Sequence, residues 1–362
     1  IFRYLAKNIL LALLAVTAVL LLIVMSGRFI KYLAEAATGE LAADVLFSIM
    51  GYRLPGFLEL ILPLGLFIGI LMSYGRLYLD SEMTVLTACG MSTRKLVAYT
   101  MVPALLIMCV VALLSIKVSP WGAAKVEDIF NAQDERTEFD TLIPGRFQQL
   151  GSGGRVTYTE KLTDKRTRME NVFITQRLEN KKGGKPELIL LVAESGSQYI
   201  DEATGSHFLL LENGYRYDGN PGDPEYRVTR YEQYGVKIPK PKQRQVRVKA
   251  ELKSTPQLVG SDNPEDLAQL QWRLSLPLLV PIITLIAIPL SRVNPRQGRY
   301  LRLLPAIFLY MGYLILLSTT RTGIEDGKLD PRPGLFWVHL LFLGIGLALV
   351  GNLHHKLFWF RR

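Results

Sequence analysis

Six apolar stretches divide this sequence, and each has about the length of a helix that crosses a membrane. The hydrocarbon core of a bilayer is ~30 Å thick, which takes roughly 20 helical residues. The stretches are Asn8–Gly27, Leu54–Gly75, Leu96–Ile116, Leu274–Ser291, Leu303–Thr320 and Pro333–Leu353, and Glu59 is the only charged residue within them. The sequence therefore predicts six transmembrane helices, arranged as three before and three after a long polar insert.

Basic residues beside these stretches predict which way the chain crosses the membrane. With the N-terminus in the cytoplasm, twelve Lys and Arg residues flank the spans on the cytoplasmic side and six on the other side. Short cytoplasmic flanks carry the excess of Lys and Arg in membrane proteins. Both termini are therefore expected in the cytoplasm and the insert outside it. The formal charge of +10 over 362 residues needs no nucleic-acid partner to explain it.

The insert, from about Pro120 to Leu267, changes from helical to alternating periodicity. Five segments have this alternation: GRVTYTEKL, MENVFITQRL, PELILLVAESGSQYI, HFLLLENGYRYDG and YRVTRYEQYGVKI. Turn signals at Gly183-Gly184, Asn213-Gly214 and DGNPGDP separate them, which is typical of antiparallel strands. We expect residues 1–120 to hold spans one to three, residues 121–267 an all-β domain, and residues 268–362 spans four to six. WGAAKVEDIFNAQDERTEF should continue the third helix, and Asn263 or Asp266 should begin the fourth.

A short stretch between the second and third spans, LDSEMTVLTACGMSTRK, predicts a small helix at about residues 81–89. Asp80 or Ser81 is a suitable N-cap, Glu82 suits the first turn, and Gly90 suits the end. Ser92 is placed to cap the third span, and Met83, Leu86 and Cys89 share a face of the small helix. Such a helix rests either on the lipid surface or in a groove of a cytoplasmic protein. The groove is favoured, because the helix has acids at its start and no Lys or Arg.

The sequence shows no catalytic, metal or nucleotide motif. Cys89 and Cys109 are the only cysteines and are not expected to pair, and the four histidines, His207, His339, His354 and His355, fall in three separate regions. NKKGGKPE lacks the hydroxyl residue and the strand-to-helix context of a phosphate loop. We therefore expect no cofactor, no metal and no enzymatic activity in this chain. Any ATP that drives it must bind to another chain.

Three segments resemble the LptF/LptG family, the permease subunits of the bacterial lipopolysaccharide exporter. They are LDSEMTVLTACGMS, the preceding ILPLGLFIGILMSYGRLY, and VNPRQGRYLRLLPA between the fourth and fifth spans. VNPRQGR and KLDPRPGLFW look more like the F subunit than the G subunit. The resemblance covers the chain in order and implies a membrane α-helical fold of six transmembrane helices (3+3) with an inserted periplasmic β-jelly-roll.

The resemblance also implies partners, a location and site residues. It implies a heterodimer with an LptG-like permease, an LptB-like cytoplasmic ATPase dimer that binds ATP and Mg, an LptC-like single-span protein, and a periplasmic LptA-like bridge. The location would be the inner membrane of a Gram-negative bacterium, and the cargo lipopolysaccharide. The small helix would be the family's coupling helix, with Ser81, Glu82, Met83, Leu86 and Gly90 as its residues, and Arg28 and Lys31 would bind the lipid. An alternative function is ATPase-coupled mechanotransmission that moves no lipid.

Overall fold

A computed structural model describes residues 1–37, 41, 43–134, 142–150, 155–163, 168–178, 187–201, 206–219, 226–237, 250–292 and 303–359. The chain divides into two compact units. One, the helical unit, comprises Ile1–Phe29, Ser48–Glu127 and Val248–Arg362, and the other, the β unit, comprises Ile30–Phe47 and Asp128–Arg247.

The helices follow the apolar stretches of the sequence. Before the insert, α1 spans Phe2–Ala37, α2 Leu46–Leu79, α3 Glu82–Ala88, α4 Thr93–Leu113 and α5 Ser119–Asp134. A 3₁₀ turn at Ala43–Val45 precedes α2, and a π-helical segment at Leu114–Val118 joins α4 to α5. After the insert, α6 spans Thr255–Leu258, α7 Pro264–Leu290, α8 Leu303–Glu325 and α9 Phe336–Trp359. The predicted polar continuation of the third helix is α5, and the predicted start of the fourth is confirmed, because Asn263 caps α7.

Five of the described helices are long and apolar enough to cross a membrane. They are α1, α2, the continuous Thr93–Ala132 helix, α7 and α8. The sixth predicted span lies in α9, whose apolar part, Phe336–Asn352, is shorter. Burial differs strongly between the spans. In the most apolar stretch of α7, 72% is buried, whereas in that of α1 only 17% is buried. α7 is therefore the central helix of this unit, whereas α1 leaves most of its apolar surface for lipid or another chain.

Small residues let α1 and α2 approach closely. A Cβ atom added at Gly69 would lie 2.9 Å from the backbone nitrogen of Leu13, and one at Gly65 would lie 2.4 Å from Thr17 Oγ1. Two small residues four apart on one helix face are a common way to pack membrane helices, since they bring backbones together. The Gly65 to Gly69 spacing therefore holds α1 against α2.

The β unit contains an antiparallel sheet with its strands in sequence order. Over the described residues the strands are β1 (Gln148–Leu150), β2 (Arg155–Thr163), β3 (Arg168–Leu178), β4 (Glu187–Asp201), β5 (Ser206–Asp218) and β6 (Arg227–Lys237). All five predicted strand segments appear as β2 to β6. The membrane helical fold with an inserted antiparallel β domain is thus confirmed, while Gly183-Gly184 and VNPRQGR lie outside the described residues.

One row of residues interrupts the ladders of five strands. The row has one residue from each of the strands β2 to β6, and these residues lie opposite one another: Glu160, Asn171, Glu194, Asn213 and Glu232. Regular pairing stops at this row and resumes beyond it in the same register. Asn171 and Asn213 both have a φ of 51°, and their side-chain amides donate to Glu160 Oε2 at 2.5 Å and Glu194 Oε2 at 3.3 Å. We call this row the crease.

Burial shows that the sheet bends at the crease. Elsewhere on these strands every second residue is buried. Across the crease, successive buried residues are three positions apart, Met169 and Val172 on β3 and Leu211 and Gly214 on β5. Irregular residues inside a ladder bend their strands. Both halves of the sheet therefore turn apolar side chains into one cluster, which includes Leu191 and Ala193.

The predicted turn at Asn213-Gly214 is wrong, because both residues lie inside β5. Asparagine tolerates the left-handed region, and this property serves the crease here instead of a hairpin. Gly214 leaves room for the Tyr231 hydroxyl, which donates to the Val192 carbonyl at 3.0 Å. A Cβ atom at Gly214 would lie 2.1 Å from that carbonyl oxygen. Burial raises the pKa of Tyr231 to about 12, so the hydroxyl remains a donor.

Candidate functional site

The short helix α3 lies between α2 and α4 and is bounded by two residues in the left-handed region. Ser81, with a φ of 64°, precedes it, and Gly90, with a φ of 94°, follows it. The predicted end is confirmed, because Gly90 N–H donates to the Thr87 carbonyl and Met91 N–H to the Leu86 carbonyl. Ser81 stands at the predicted N-cap position, but its side chain makes no capping hydrogen bond.

Asp80, the other predicted N-cap residue of α3, pairs instead with Arg76 one turn earlier on α2, with 3.4 Å between Oδ2 and Nε. Ser92 caps α4 as predicted, since its Oγ accepts from Lys95 N–H at 3.3 Å. The left-handed residues at both ends of α3 turn the chain sharply. A seven-residue helix therefore fits between two long spans.

One face of α3 is held in the core of the helical unit. Met83 is 1% exposed and belongs to the same core cluster as Leu77 and Leu96. Leu86 packs partly buried against that cluster. The opposite side presents Thr84, Val85 and Ala88 to the outside, and Val85 is 60% exposed. Met83 therefore fixes the helix to the spans, and the outward face stays accessible.

The first turns of α1 contact α3 and α4. The Tyr4 hydroxyl donates to Glu82 Oε2 at 2.7 Å, and the Phe2 ring meets the Tyr99 ring edge-on at 5.7 Å. Leu5 and Ile9 are completely buried in the core cluster. Tyr4 is thus a site residue that sequence reasoning missed, since 78 residues separate it from Glu82 and no local pattern joins them.

The two predicted lipid-binding residues lie far along the same helix. Arg28 is 24 residues from Tyr4 on α1, roughly 36 Å at 1.5 Å per residue. Its guanidinium lies over the Phe57 ring of α2, 5.7 Å from the ring centre. Lys31 pairs with Glu35, with 3.7 Å between Nζ and Oε1. α1 therefore connects the neighbourhood of α3 with the predicted lipid residues.

These features define a polytopic membrane protein: apolar helices, a short helix fixed between two of them, and an inserted β unit. The family model described as lipopolysaccharide export system permease LptF/LptG matches residues 3–352, and the chain belongs to this family. Relatives named lipopolysaccharide export system permease protein LptF, from Escherichia coli K12 and Shigella flexneri, are each 32% identical over 356 residues. That alignment covers 96% of this chain and 94% of each relative. The predicted resemblance is confirmed.

Proposed function

We propose that this chain is one of two permease subunits in an ATP-driven exporter that extracts lipopolysaccharide from the inner membrane. Its partners would be an LptG-like permease, an LptB-like ATPase dimer, an LptC-like single-span protein and an LptA-like periplasmic bridge. ATP and Mg would bind to the ATPase, and this chain would hold no cofactor and catalyse no reaction. Both termini would be cytoplasmic and the β unit periplasmic, as the flanking basic residues predict.

The proposal rests on the contacts that hold α3 against the spans in this member of the permease family. Met83 fixes α3 to the spans, and Tyr4 fixes it to α1, while Thr84, Val85 and Ala88 remain exposed. A helix held in this way transmits a displacement to the spans when a partner moves it. We assign α3 as the coupling helix, with Glu82 as its charged contact to the ATPase.

The cargo explains why the exporter needs an apolar path. Moving one ~12-carbon acyl chain into water costs about 10 kcal/mol at ~0.8 kcal/mol per CH₂ group. A lipid with several chains would cost several times more, which exceeds what a conformational switch of a few kcal/mol supplies in one step. The lipid must therefore pass directly from the spans to an apolar trough, and the apolar cluster of the creased sheet is the candidate for it.

The edges of the sheet suggest how the trough continues into the bridge. Over the described residues β1 and β6 are the edge strands, and β1 has only three residues. Exposed edges invite pairing with other chains, so a native partner is a good reason to keep one. We propose that a β domain of the bridge adds its strands at one edge. Photocrosslinkers along Tyr226–Tyr234, at the edge strand β6, should capture it. Val156 and Thr157 of β2 pair with both β1 and β3, so crosslinkers there are the internal control and should capture nothing.

The test reconstitutes the full chain with the four partner proteins in proteoliposomes that contain lipopolysaccharide. A photocrosslinker at Leu209, inside the apolar cluster, should capture lipopolysaccharide in an ATP-dependent manner. ATP hydrolysis without lipid capture would instead support mechanotransmission. Tight nucleotide binding by the chain alone would contradict the assignment of ATP to a partner.

A further inference from the structure

A cavity of about 270 Å³, lined by both apolar and charged residues, lies within the helical unit, at the helix ends that lead in sequence toward the β insert. Its walls come from the start of α2, the π-helical segment, α5, α7 and α8. Phe57, whose ring carries Arg28 on one side, is one of its lining residues. The cavity is therefore separate from α3 and next to a predicted lipid-binding residue.

The two inner cations of this cavity already have partners. Arg273, only 2% exposed, donates to Thr255 Oγ1 at 2.9 Å and to the backbone carbonyls of Glu251 and Lys253 at 3.1 and 2.8 Å. Arg321 pairs with Glu325 and Glu251, and its guanidinium lies 5.1 Å from the centre of the Trp272 ring. These contacts leave the inner guanidinium groups satisfied by the protein itself.

Two acceptors of the cavity have no such partner. Glu59 Oε2 and Gln269 Oε1 are both buried and have no hydrogen-bond donor among the described residues, and Gln269 is only 7% exposed. The Ser119 and Ser115 hydroxyls and the charge of Arg273 stabilise the Glu59 carboxylate, yet its Oε2 has no donor of its own. A buried acceptor without a donor is costly, more so when it is charged. What the cavity lacks is therefore hydrogen-bond donors at Glu59 and Gln269, and a ligand that brings such donors would fit it.

A primary ammonium group meets this requirement, because it carries one positive charge and three N–H donors. Arg53 lies exposed at the mouth of the cavity, where its positive charge would attract an anionic group of the ligand. A ligand with a phosphate next to an ammonium would match both ends, since guanidinium groups bind phosphates well. We propose that this cavity binds a phosphoethanolamine headgroup, with its ammonium on Glu59 and Gln269 and its phosphate toward Arg53. The group could come from phosphatidylethanolamine or from a phosphoethanolamine substituent on the exported lipid.

The test compares phosphatidylethanolamine with phosphatidylcholine, whose trimethylated nitrogen has the same charge and no N–H donor. The full chain in its complex is equilibrated with an equimolar, isotopically labelled mixture, and bound lipids are counted by native mass spectrometry. We expect a roughly tenfold preference for phosphatidylethanolamine, the size expected of one hydrogen bond to a charged group. Equal retention of both lipids by the unmodified chain would overturn the proposal and leave water as the occupant.

Variants locate the site. Glu59→Gln keeps the size of the side chain and removes its charge. This change and Gln269→Met should each bring the ratio of bound phosphatidylethanolamine to bound phosphatidylcholine toward one. Glu127→Gln, on α5 and outside the cavity lining, is the matched control and should keep it. Arg53→Gln should lower retention of both lipids together, because both carry the phosphate. A preference that survives both Glu59→Gln and Gln269→Met would place the lipid elsewhere and overturn the proposal.

A second comparison separates the two sources and does not depend on transport. Lipopolysaccharide with and without a phosphoethanolamine substituent is added as competitor to the complex loaded with phosphatidylethanolamine. Displacement only by the substituted form supports the cargo as a source, and retention of the phospholipid against both forms supports the membrane lipid. Equal displacement by both forms would contradict recognition of the ammonium group.

Discussion

The Tyr4 hydroxyl donates a 2.7 Å hydrogen bond to Glu82 Oε2 and so ties the first turn of α1 to the first turn of α3. A carboxylate accepts several hydrogen bonds, so this one leaves Glu82 able to bind a cation as well. Tyr4 therefore orients Glu82 while the outward face of α3 stays accessible. Because α1 continues to Arg28, a displacement of α3 has a direct mechanical route toward the predicted lipid residues.

Tyr4→Phe removes this hydrogen bond and keeps the ring. We expect the affinity of the permease pair for the ATPase to fall about threefold, a loss typical of one hydrogen bond. In a Glu82→Gln background the same change should have a smaller effect, because Tyr4 acts through the carboxylate. Equilibrium binding of the ATPase to the four members of this double-mutant cycle measures the difference. Equal effects in both backgrounds would show that Tyr4 does not position Glu82.

Glu82→Arg places a cation where we expect the ATPase to present one. A charge repulsion in a half-buried contact should weaken ATPase binding by roughly 2–5 kcal/mol. Glu82→Gln should be milder, because a helix-dipole contribution alone is worth about 0.3–1 kcal/mol. Pull-down of the ATPase with the purified permease pair gives the readout.

A compensating change tests the same contact from the other side. An acidic substitution of the matching cation in the ATPase groove should restore part of the export that Glu82→Arg abolishes. The spans should stay inserted and the permease pair intact in the single variant. Export by Glu82→Arg equal to that of the unmodified chain would remove Glu82 from the coupling contact.

The combined change Arg28→Glu and Lys31→Glu reverses the charge toward the C-terminal end of α1. Lipid phosphates would then face two carboxylates, so we expect lipopolysaccharide crosslinking to fall roughly tenfold or more. Assembly with the partner permease should remain. Arg332→Glu, a charge reversal in the loop before α9, is the control and should leave crosslinking unchanged. Equal crosslinking in the double variant would mean that the pair only anchors the helix at the headgroups.

Alanine substitutions at Gly122 and Gly51 compare a glycine in a close helix contact with one that has open space around it. A Cβ atom at Gly122 would lie 2.2 Å from the Tyr52 carbonyl oxygen, whereas one at Gly51 would meet nothing within 4 Å. Gly122→Ala should therefore destabilise the helical unit by about 1–3 kcal/mol, since the backbones must move apart. Gly51→Ala should stabilise α2 by roughly 0.5–1 kcal/mol, because alanine is the better helix former. Thermal unfolding in detergent measures both, and equal midpoints would contradict the close approach.

The sequence predicted the elements that depend on local chemistry. A run such as Leu96–Ile116 has few alternatives to a span, and Gly90 ends α3 because its backbone adopts the left-handed region. It did not predict contacts that only the packed chain creates. Tyr4 meets Glu82, and Glu59 lies beside Arg273 in the cavity, because distant helices converge. The same limit explains the error at Asn213, whose backbone preference suits a turn and a creased strand equally.

Substitutions of Asn213 test whether its left-handed backbone conformation maintains the crease, in addition to the contact between its amide and Glu194. Asn213→Gly loses the hydrogen bond but accepts a φ of 51° freely, so it should cost less than about 1 kcal/mol. Asn213→Val should cost about 1–3 kcal/mol, because a branched side chain is strained there. Thr229→Val, on an exposed position of β6, is the control and should stay within about 0.5 kcal/mol. Hydrogen exchange of the full chain should accelerate across β4 to β6 only in Asn213→Val. Equal protection in the valine and glycine variants would show that the crease does not depend on this backbone conformation.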